Sequence, residues 1–500
     1  MTALLALLPI LLFILLLVAF RLPAAVAGFA AACLAGVVAV SGFDYAPTLP
    51  NLLGPVLEAS FTSASILWII FPALGIYEYQ EKTGQTARIG QWLSSVSTSP
   101  QIVVLLLAWF FAIFLEGAAG FGTPVALAAP MLVALGFAPL KALVFALIGH
   151  AAGVSFGAVG TPIVPLLEAA AVDPRTLSLV ILILHGALGW TLALLLFRLA
   201  APEEAPAQPV PWTAPLAAAF LFFLPAAAFA WIAGPELPTL GGALVGAALF
   251  LILVKRKWSP ERSSEEQKAS ALVRAGLPYI LVLAFVLATR LVQPVAEFFR
   301  TATVDWSFAG EFSGSLALLY HPGTILMIAL LAAAAISRSG IDVLRSSLGA
   351  AAGRLPLVAL ALVAVLLMAR LMVHSGMINA MALAAEQTLG SYWVLAVPLV
   401  GALGSFVTGS ATTSNIIFAD FQIAAAKATG LTSLLALAGQ GFGSAIGNII
   451  APHNIVAGAA TVGLIGREGD VLKRTLPVCI AYTTAGGVLL LGLSSLLWDM

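Results

Sequence analysis

LEGAAGFGTPVA, Leu115 to Ala126, places one carboxylate, three glycines, a threonine and a proline inside a long apolar run. Glycine and proline break helices. Backbone polar groups released at membrane depth are tolerated only where protein or a water-filled cavity meets them. An acid at that depth is costly and marks a functional site. The stretch therefore reads as half of a substrate site in a membrane transporter. TGSATTSN, Thr408 to Asn415, reads as the other half.

Working outward, the composition agrees. Of 500 residues, 61% are hydrophobic and 9% charged, and apolar runs of spanning length recur throughout. The formal net charge is zero, so whole-chain charge argues for no nucleic-acid partner. Cys33 and Cys479 both lie in apolar runs and read as small core residues, not as a disulfide or metal pair. The opening MTALLALLPILLF has no basic leader and reads as a retained first span.

Hydropathy predicts an all-α polytopic membrane protein with about 12 transmembrane helices of roughly 20 residues each, plus two re-entrant hairpins. Spans are expected near 3–20, 24–42, 63–80, 176–200, 212–233, 239–254, 272–292, 322–337, 355–374 and 475–497, with a short interfacial segment at 52–62. Residues 101–136 read as the first hairpin, with arms of about 14 and 12 residues, each too short to cross. Residues 391–428 read as the second. A broken span follows each hairpin. The first, 139–170, is interrupted at GVSFGAVGTP, Gly153 to Pro162; the second, 430–465, at GSAIGNIIAP, Gly443 to Pro452.

Lys and Arg favour the cytoplasmic side. With KRKWSPERSSEEQK, 255–268, placed inside, 17 of the 22 Lys and Arg residues fall on that side. Arg175, Arg300 and Lys427 fall outside, and Arg290 and Arg370 fall within spans. Both termini then face out. A shift of 290 positions puts Thr123 on Thr413, Gly149 on Gly439, Gly153 on Gly443, Gly157 on Gly447 and Pro162 on Pro452, with ten identities over 114–162. The first hairpin enters from inside and the second from outside, so the copies form an inverted repeat, as in secondary transporters. The expected organisation is one transporter domain, 1–500. Its first repeat is 1–200, linking spans and a cytoplasmic loop occupy 201–270, and the second, inverted repeat is 271–500.

Broken helices leave half-helix N-termini with partial positive charge and free N–H groups. The breaks also gather small donors: Gly120, Gly122, Thr123 and Ser155 in the first copy, and Ser410, Thr412, Thr413, Ser414, Asn415, Ser444 and Asn448 in the second. That inventory suits a small hydroxycarboxylate and has too few cations for a phosphate-rich nucleotide. The alternative for any one of these residues is simple close helix packing. Glu116 is the leading proton carrier, because burial disfavours a carboxylate's charge and lets it be neutral in one state and ionised in another. Its alternative is an ion pair that holds the hairpin. His150 and Asp420 are further proton-coupling candidates, with a satisfied core histidine as the alternative for His150. His453, after Pro452, has similar standing and is grouped with the substrate. Arg290 and Arg370 either pair with Glu116 or Asp420, hold a substrate carboxylate, or snorkel to the membrane surface. No HExxH or Walker-A motif is present, and the GxSxG match at Gly153 to Gly157 lies inside an apolar span rather than on a strand-to-helix elbow, so no enzyme, cofactor or metal is expected.

LEGAAGFGTPVA, Ser375-Gly376-Met377, GNIIAPHNI at Gly447 to Ile455 and GLIGREGDVLKRT at 463–475 together resemble the lactate permease family, in matching order from about 50 to 475. The resemblance implies uptake of L-lactate, D-lactate or glycolate with a proton across a bacterial inner membrane. The chain is more distantly similar to the ion-transporter superfamily, whose hairpin tips carry Ser-Asn-Thr-type sequences. Ser414-Asn415 resembles such a tip, while Gly122-Thr123-Pro124 lacks the amide, which favours proton over sodium coupling. The role of His150 is not carried over. The expected partners are a small organic anion, protons and the lipid bilayer. The competing expectations are a sodium-coupled carboxylate transporter and an anion channel.

Overall fold

A chain this apolar has two ways to satisfy its backbone in lipid, helices or a closed barrel, and it takes the first. The computed structural model describes residues 2–20, 22–120, 122–202, 210–257, 273–465 and 467–498. Among these residues, 11 helices are long and apolar enough to cross a membrane, or 12 if one bent pair counts as a single span. The chain is thus an α-helical polytopic membrane protein. Most of the loop at 255–268, and Arg21, lie outside the described residues.

The first half comprises α1 (Thr2–Val18), α2 (Ala24–Gly42), α3 (Leu49–Lys82), α4 (Gln85–Ser94), α5 (Pro100–Ala118), α6 (Thr123–Ala134), α7 (Pro139–His150), α8 (Val164–Ala169) and α9 (Pro174–Leu199). Two connecting helices follow, α10 (Thr213–Ala233) and α11 (Pro238–Lys257). The second half comprises α12 (Leu277–Leu291), α13 (Gln293–Arg300), α14 (Pro322–Ile336), α15 (Ile341–His374) and α16 (Met377–Leu389). It continues with α17 (Trp393–Thr408), α18 (Ala411–Thr429), α19 (Ser433–Gly447), α20 (Pro452–Thr461) and α21 (Glu468–Trp498).

Several boundaries differ from those expected. Residues 52–62 and 63–80 form one 34-residue helix, α3. The polar residues at the junction turn inward: Thr62, Ser63 and Ser65 are buried, and Ser65 Oγ lies 3.2 Å from His321 Nε2. Helix α15 starts at Ile341 rather than near 355; its polar first turns carry Asp342 and Arg345, and further along Arg354 pairs with Glu78. The first arm of the tip at 119–122 is 19 residues, not about 14, and is long enough to cross. Helix α16 was not anticipated. Nor was a two-stranded antiparallel hairpin, β1 (Thr303–Phe308) and β2 (Phe312–Ala317), joining α13 to α14.

Burial separates inner from outer helices. The spanning window within Pro139–Ala169 is wholly buried and that of α5 nearly so, whereas α10 and α21 bury only about a third of theirs. Two glycine ladders at four-residue spacing make the inner packing possible. In the first, Gly149, Gly153 and Gly157 face Ala108, Ile113 and Glu116 of α5. In the second, Gly439, Gly443 and Gly447 face Val397, Pro398 and Ala402 of α17. Helix α5 widens into a π-helix over Leu105–Phe111 where Gly149 meets the Ala108 carbonyl; such segments recur at functional sites.

Arg290 pairs with Glu236 at 2.5 Å, and its guanidinium lies 3.8 Å from the Tyr320 ring centroid. Neither Glu116 nor Asp420 is its partner, contrary to expectation; Glu236 lies in a short loop whose sequence gave no sign of the pairing. The pair anchors the turn at Pro235–Glu236, which packs on Gly160 in the first broken span. Both side chains are nearly buried, so Arg290→Leu strands a carboxylate and is expected to cost about 3–5 kcal/mol. A lowered unfolding temperature in detergent would show it. The double variant Glu236→Gln/Arg290→Met should recover much of the loss.

Candidate functional site

Four chain breaks converge. Helix α5 stops at Ala118, and the chain reverses through Gly122, whose φ of +77° suits glycine, before Thr123 opens α6. Thr123 Oγ1 donates to the Gly120 carbonyl at 2.8 Å and holds this tip. Helix α17 stops at Thr408, Gly409 turns the chain with φ +73°, and Ser410 caps α18 by accepting from Thr413 N–H at 3.2 Å. The first broken span kinks at Ala158 (φ +42°) and Val159 (φ +54°). A β-branched residue there is a true outlier, a strain of about 1–3 kcal/mol that clusters at functional sites. The second break passes through extended Ala451 into Pro452 and His453 at the start of α20.

The breaks enclose a cavity of about 360 Å³. One wall is polar, with Glu116, Thr161, Thr408, Ser410, Thr412, Thr413, Asn448 and His453. It also carries backbone at Gly120, Gly122, Gly157 and Ala158. The facing wall is Pro23 to Ala25 at the start of α2 and the apolar residues Leu357, Val358, Ala361, Leu362 and Val365 of α15. Among the described residues, no Lys or Arg lines it. The starts of α2, α6, α18 and α20 all reach it, each with first-turn N–H groups that lack intrahelical partners. Glu116 is 5% exposed and has no hydrogen bond or ion pair among the described residues. Its carboxyl group fills the notch left by Gly157, where any added Cβ would overlap Oε1.

Of the residues singled out in the sequence, Glu116, Gly120, Gly122, Ser410, Thr412, Thr413, Asn448 and His453 line this cavity. Others lie elsewhere. Ser155 Oγ donates to the Gly441 carbonyl at 3.1 Å and lies 2.9 Å from His185 Nε2. Ser414 Oγ donates to Gly401 O at 2.8 Å, Ser444 Oγ to Gly441 O at 3.0 Å, and Asn415 Nδ2 to Pro162 O at 2.8 Å. These four knit backbone to backbone and are not cavity donors. Thr123 serves its own turn. His150 is fully buried behind Asn448, with Nδ1 2.8 Å from Ala146 O and Nε2 unpartnered. Asp420 and Arg370 line a second, small pocket. Thr161, Gly157 and Ala158 complete the wall. Their sequence signal was the GVSFGAVGTP break.

Comparison with known proteins agrees with this architecture. The chain matches the family model for L-lactate permease over residues 2–497. It is 29% identical to the L-lactate permease of Escherichia coli K12 over 539 residues, covering 98% of this chain and 95% of that one. It is 29% identical to the L-lactate permease of Streptococcus iniae, covering 85% and 91%. It is 27% identical to the glycolate permease GlcA of Escherichia coli K12, covering 98% and 95%. Among solved structures, the YdaH transporter of Alcanivorax borkumensis is similar in fold, with a TM-score of 0.50 at 15% identity over 89% of this chain and 88% of that one. With its spans, its central cavity and a family match along nearly its whole length, the chain belongs to the L-lactate permease family and is a multi-pass transporter of the bacterial inner (plasma) membrane.

Proposed function

We propose that the chain imports short 2-hydroxymonocarboxylates, L-lactate and glycolate, by proton symport, with the anion held in the central cavity and the proton on Glu116. The observation that carries the reading is a cavity reached by four helix starts that, among the described residues, is lined by no Lys or Arg and has one unpartnered carboxyl group in its wall. Each helix start favours an anion by about 0.3–1 kcal/mol, rising to about 2 kcal/mol when partly buried. An ionised Glu116 a few ångströms away would repel the anion by about 4 kcal/mol at an effective dielectric constant near 20. Repulsion of that size cancels most of the attraction. Anion and proton therefore bind together or not at all, which is the requirement for coupling. The free hydroxyls of Thr412 and Thr413 suit the 2-hydroxyl group, and the α15 wall suits the methyl group. The related breaks at Gly157 and Gly447 fit an inverted repeat that rocks about this cavity.

Purified protein in proteoliposomes tests the reading. An inward proton gradient should drive L-lactate and glycolate accumulation, and replacing sodium with choline should leave it unchanged. Preloaded unlabelled L-lactate should trap labelled L-lactate by counterflow. Uptake that needs sodium, or label that equilibrates without trapping, would overturn symport or carriage respectively.

A further inference from the structure

A second cavity, of about 20 Å³, continues the first along the same elements. On α15 its lining passes from Val365 to Leu366, Ala369 and Arg370; on α18 it passes from Thr413 to Ile416 and Asp420; and in the first broken span it passes from Pro162 to Pro165 and Glu168. The two cavities lie end to end. Beyond the second, Glu58 of α3 meets His374 at the end of α15, and Phe312 of the β-hairpin packs against the His374 ring. The loop-charge reading places this end on the outside. The large cavity opens at the opposite end, beside exposed Pro23 and Leu357.

Among the described residues, Arg370 is the one cation lining either cavity. Its pairing is loose: Nε lies 3.8 Å from Glu58 Oε2, the oxygen that already sits 2.8 Å from His374 Nε2. Among the described residues the Arg370 guanidinium makes no hydrogen bond, although it attracts Glu168 and Asp420 across the pocket. A planar fork of donors left unengaged matches a carboxylate bidentately. An incoming anion has to displace one long ion-pair contact and to compete with the longer-range attraction of Glu168 and Asp420.

We propose that Arg370 is an outer loading site, distinct from the central cavity, where the substrate carboxylate binds first when the carrier faces outward, in competition with Glu58, Glu168 and Asp420. The inference rests on the transport reading above. It assigns Arg370 to substrate affinity from one side of the membrane.

Cysteine labelling tests it in a Cys33→Ser/Cys479→Ala background. Ala169→Cys reports on the small pocket in intact cells treated with an impermeant maleimide. Ala361→Cys reports on the central cavity in inverted vesicles. L-lactate should slow labelling of Ala169→Cys by about tenfold or more, the scale of a hydrogen bond to a charged group, and Arg370→Gln should abolish that protection. Ala361→Cys should stay protected in both. Glu58→Gln, which removes the ion pair but keeps the guanidinium, should leave the Ala169→Cys protection intact or strengthen it. Protection of Ala169→Cys that survives Arg370→Gln, or that Glu58→Gln removes equally, would overturn the loading site. If L-lactate protects neither cysteine, the transport reading itself fails and takes the loading site with it.

Discussion

Glu116→Gln should abolish proton-driven accumulation of L-lactate while leaving exchange of labelled for unlabelled L-lactate across the membrane. Glutamine resembles the protonated acid in shape and charge, so the anion still meets a neutral group in the notch at Gly157. The loaded carrier no longer brings a proton in with the anion, so the proton gradient cannot drive the cycle and the concentrating step is lost. The wild-type rate should rise as external pH falls, because acid supplies the proton that the anion requires; the variant should be insensitive. Proteoliposome accumulation, counterflow and a pH profile on the same preparation check all three. Accumulation by Glu116→Gln at the wild-type level would remove Glu116 from the coupling mechanism. Gly157→Ala approaches the same site from the other side: its methyl group claims the space of Oε1 and should impair transport while Glu116 remains chemically intact.

Gly443→Ala should remove most folded protein from the membrane, whereas Gly349→Ala should be tolerated or mildly stabilising. Both glycines lie inside helices. A Cβ at Gly443 would collide with the Pro398 carbonyl of α17, and backbone cannot step aside as a flexible side chain can. A Cβ at Gly349 meets nothing within 4 Å, and alanine gains about 1 kcal/mol of helix propensity there. Fluorescence-detected size exclusion and thermal unfolding in detergent compare the two. Equal behaviour of the pair would show that the α17–α19 contact is not close-packed.

The breakers were the legible part of this chain. Glycine and proline inside apolar runs located both tips and both broken spans, and with them eight of the residues that line the cavity. Direction was not legible. Residue type marks Ser155, Ser414, Asn415 and Ser444 as donors, but only packing decides that they face backbone carbonyls rather than the cavity. The facing wall was also hidden, since Leu357 to Val365 and Pro23 to Ala25 look like any other span residues. The Arg290–Glu236 pair joins positions 54 apart through a loop that carries no motif. The β-hairpin did leave a trace in the alternation Val304, Trp306, Phe308 before Ala309-Gly310, a period-two pattern overshadowed by the membrane signal around it.

The cavity's two walls come from different parts of the molecule, with charge handled on one and an apolar surface offered by the other. A change at Ala361 or Leu357 alters the room for a longer acid tail without displacing any group on the polar side. Descendants of such a carrier can therefore diversify in the size of acid they take up while inheriting the same energy source. Mixed libraries at those two positions, selected on growth with longer 2-hydroxy acids, should yield new preferences that all remain driven by protons.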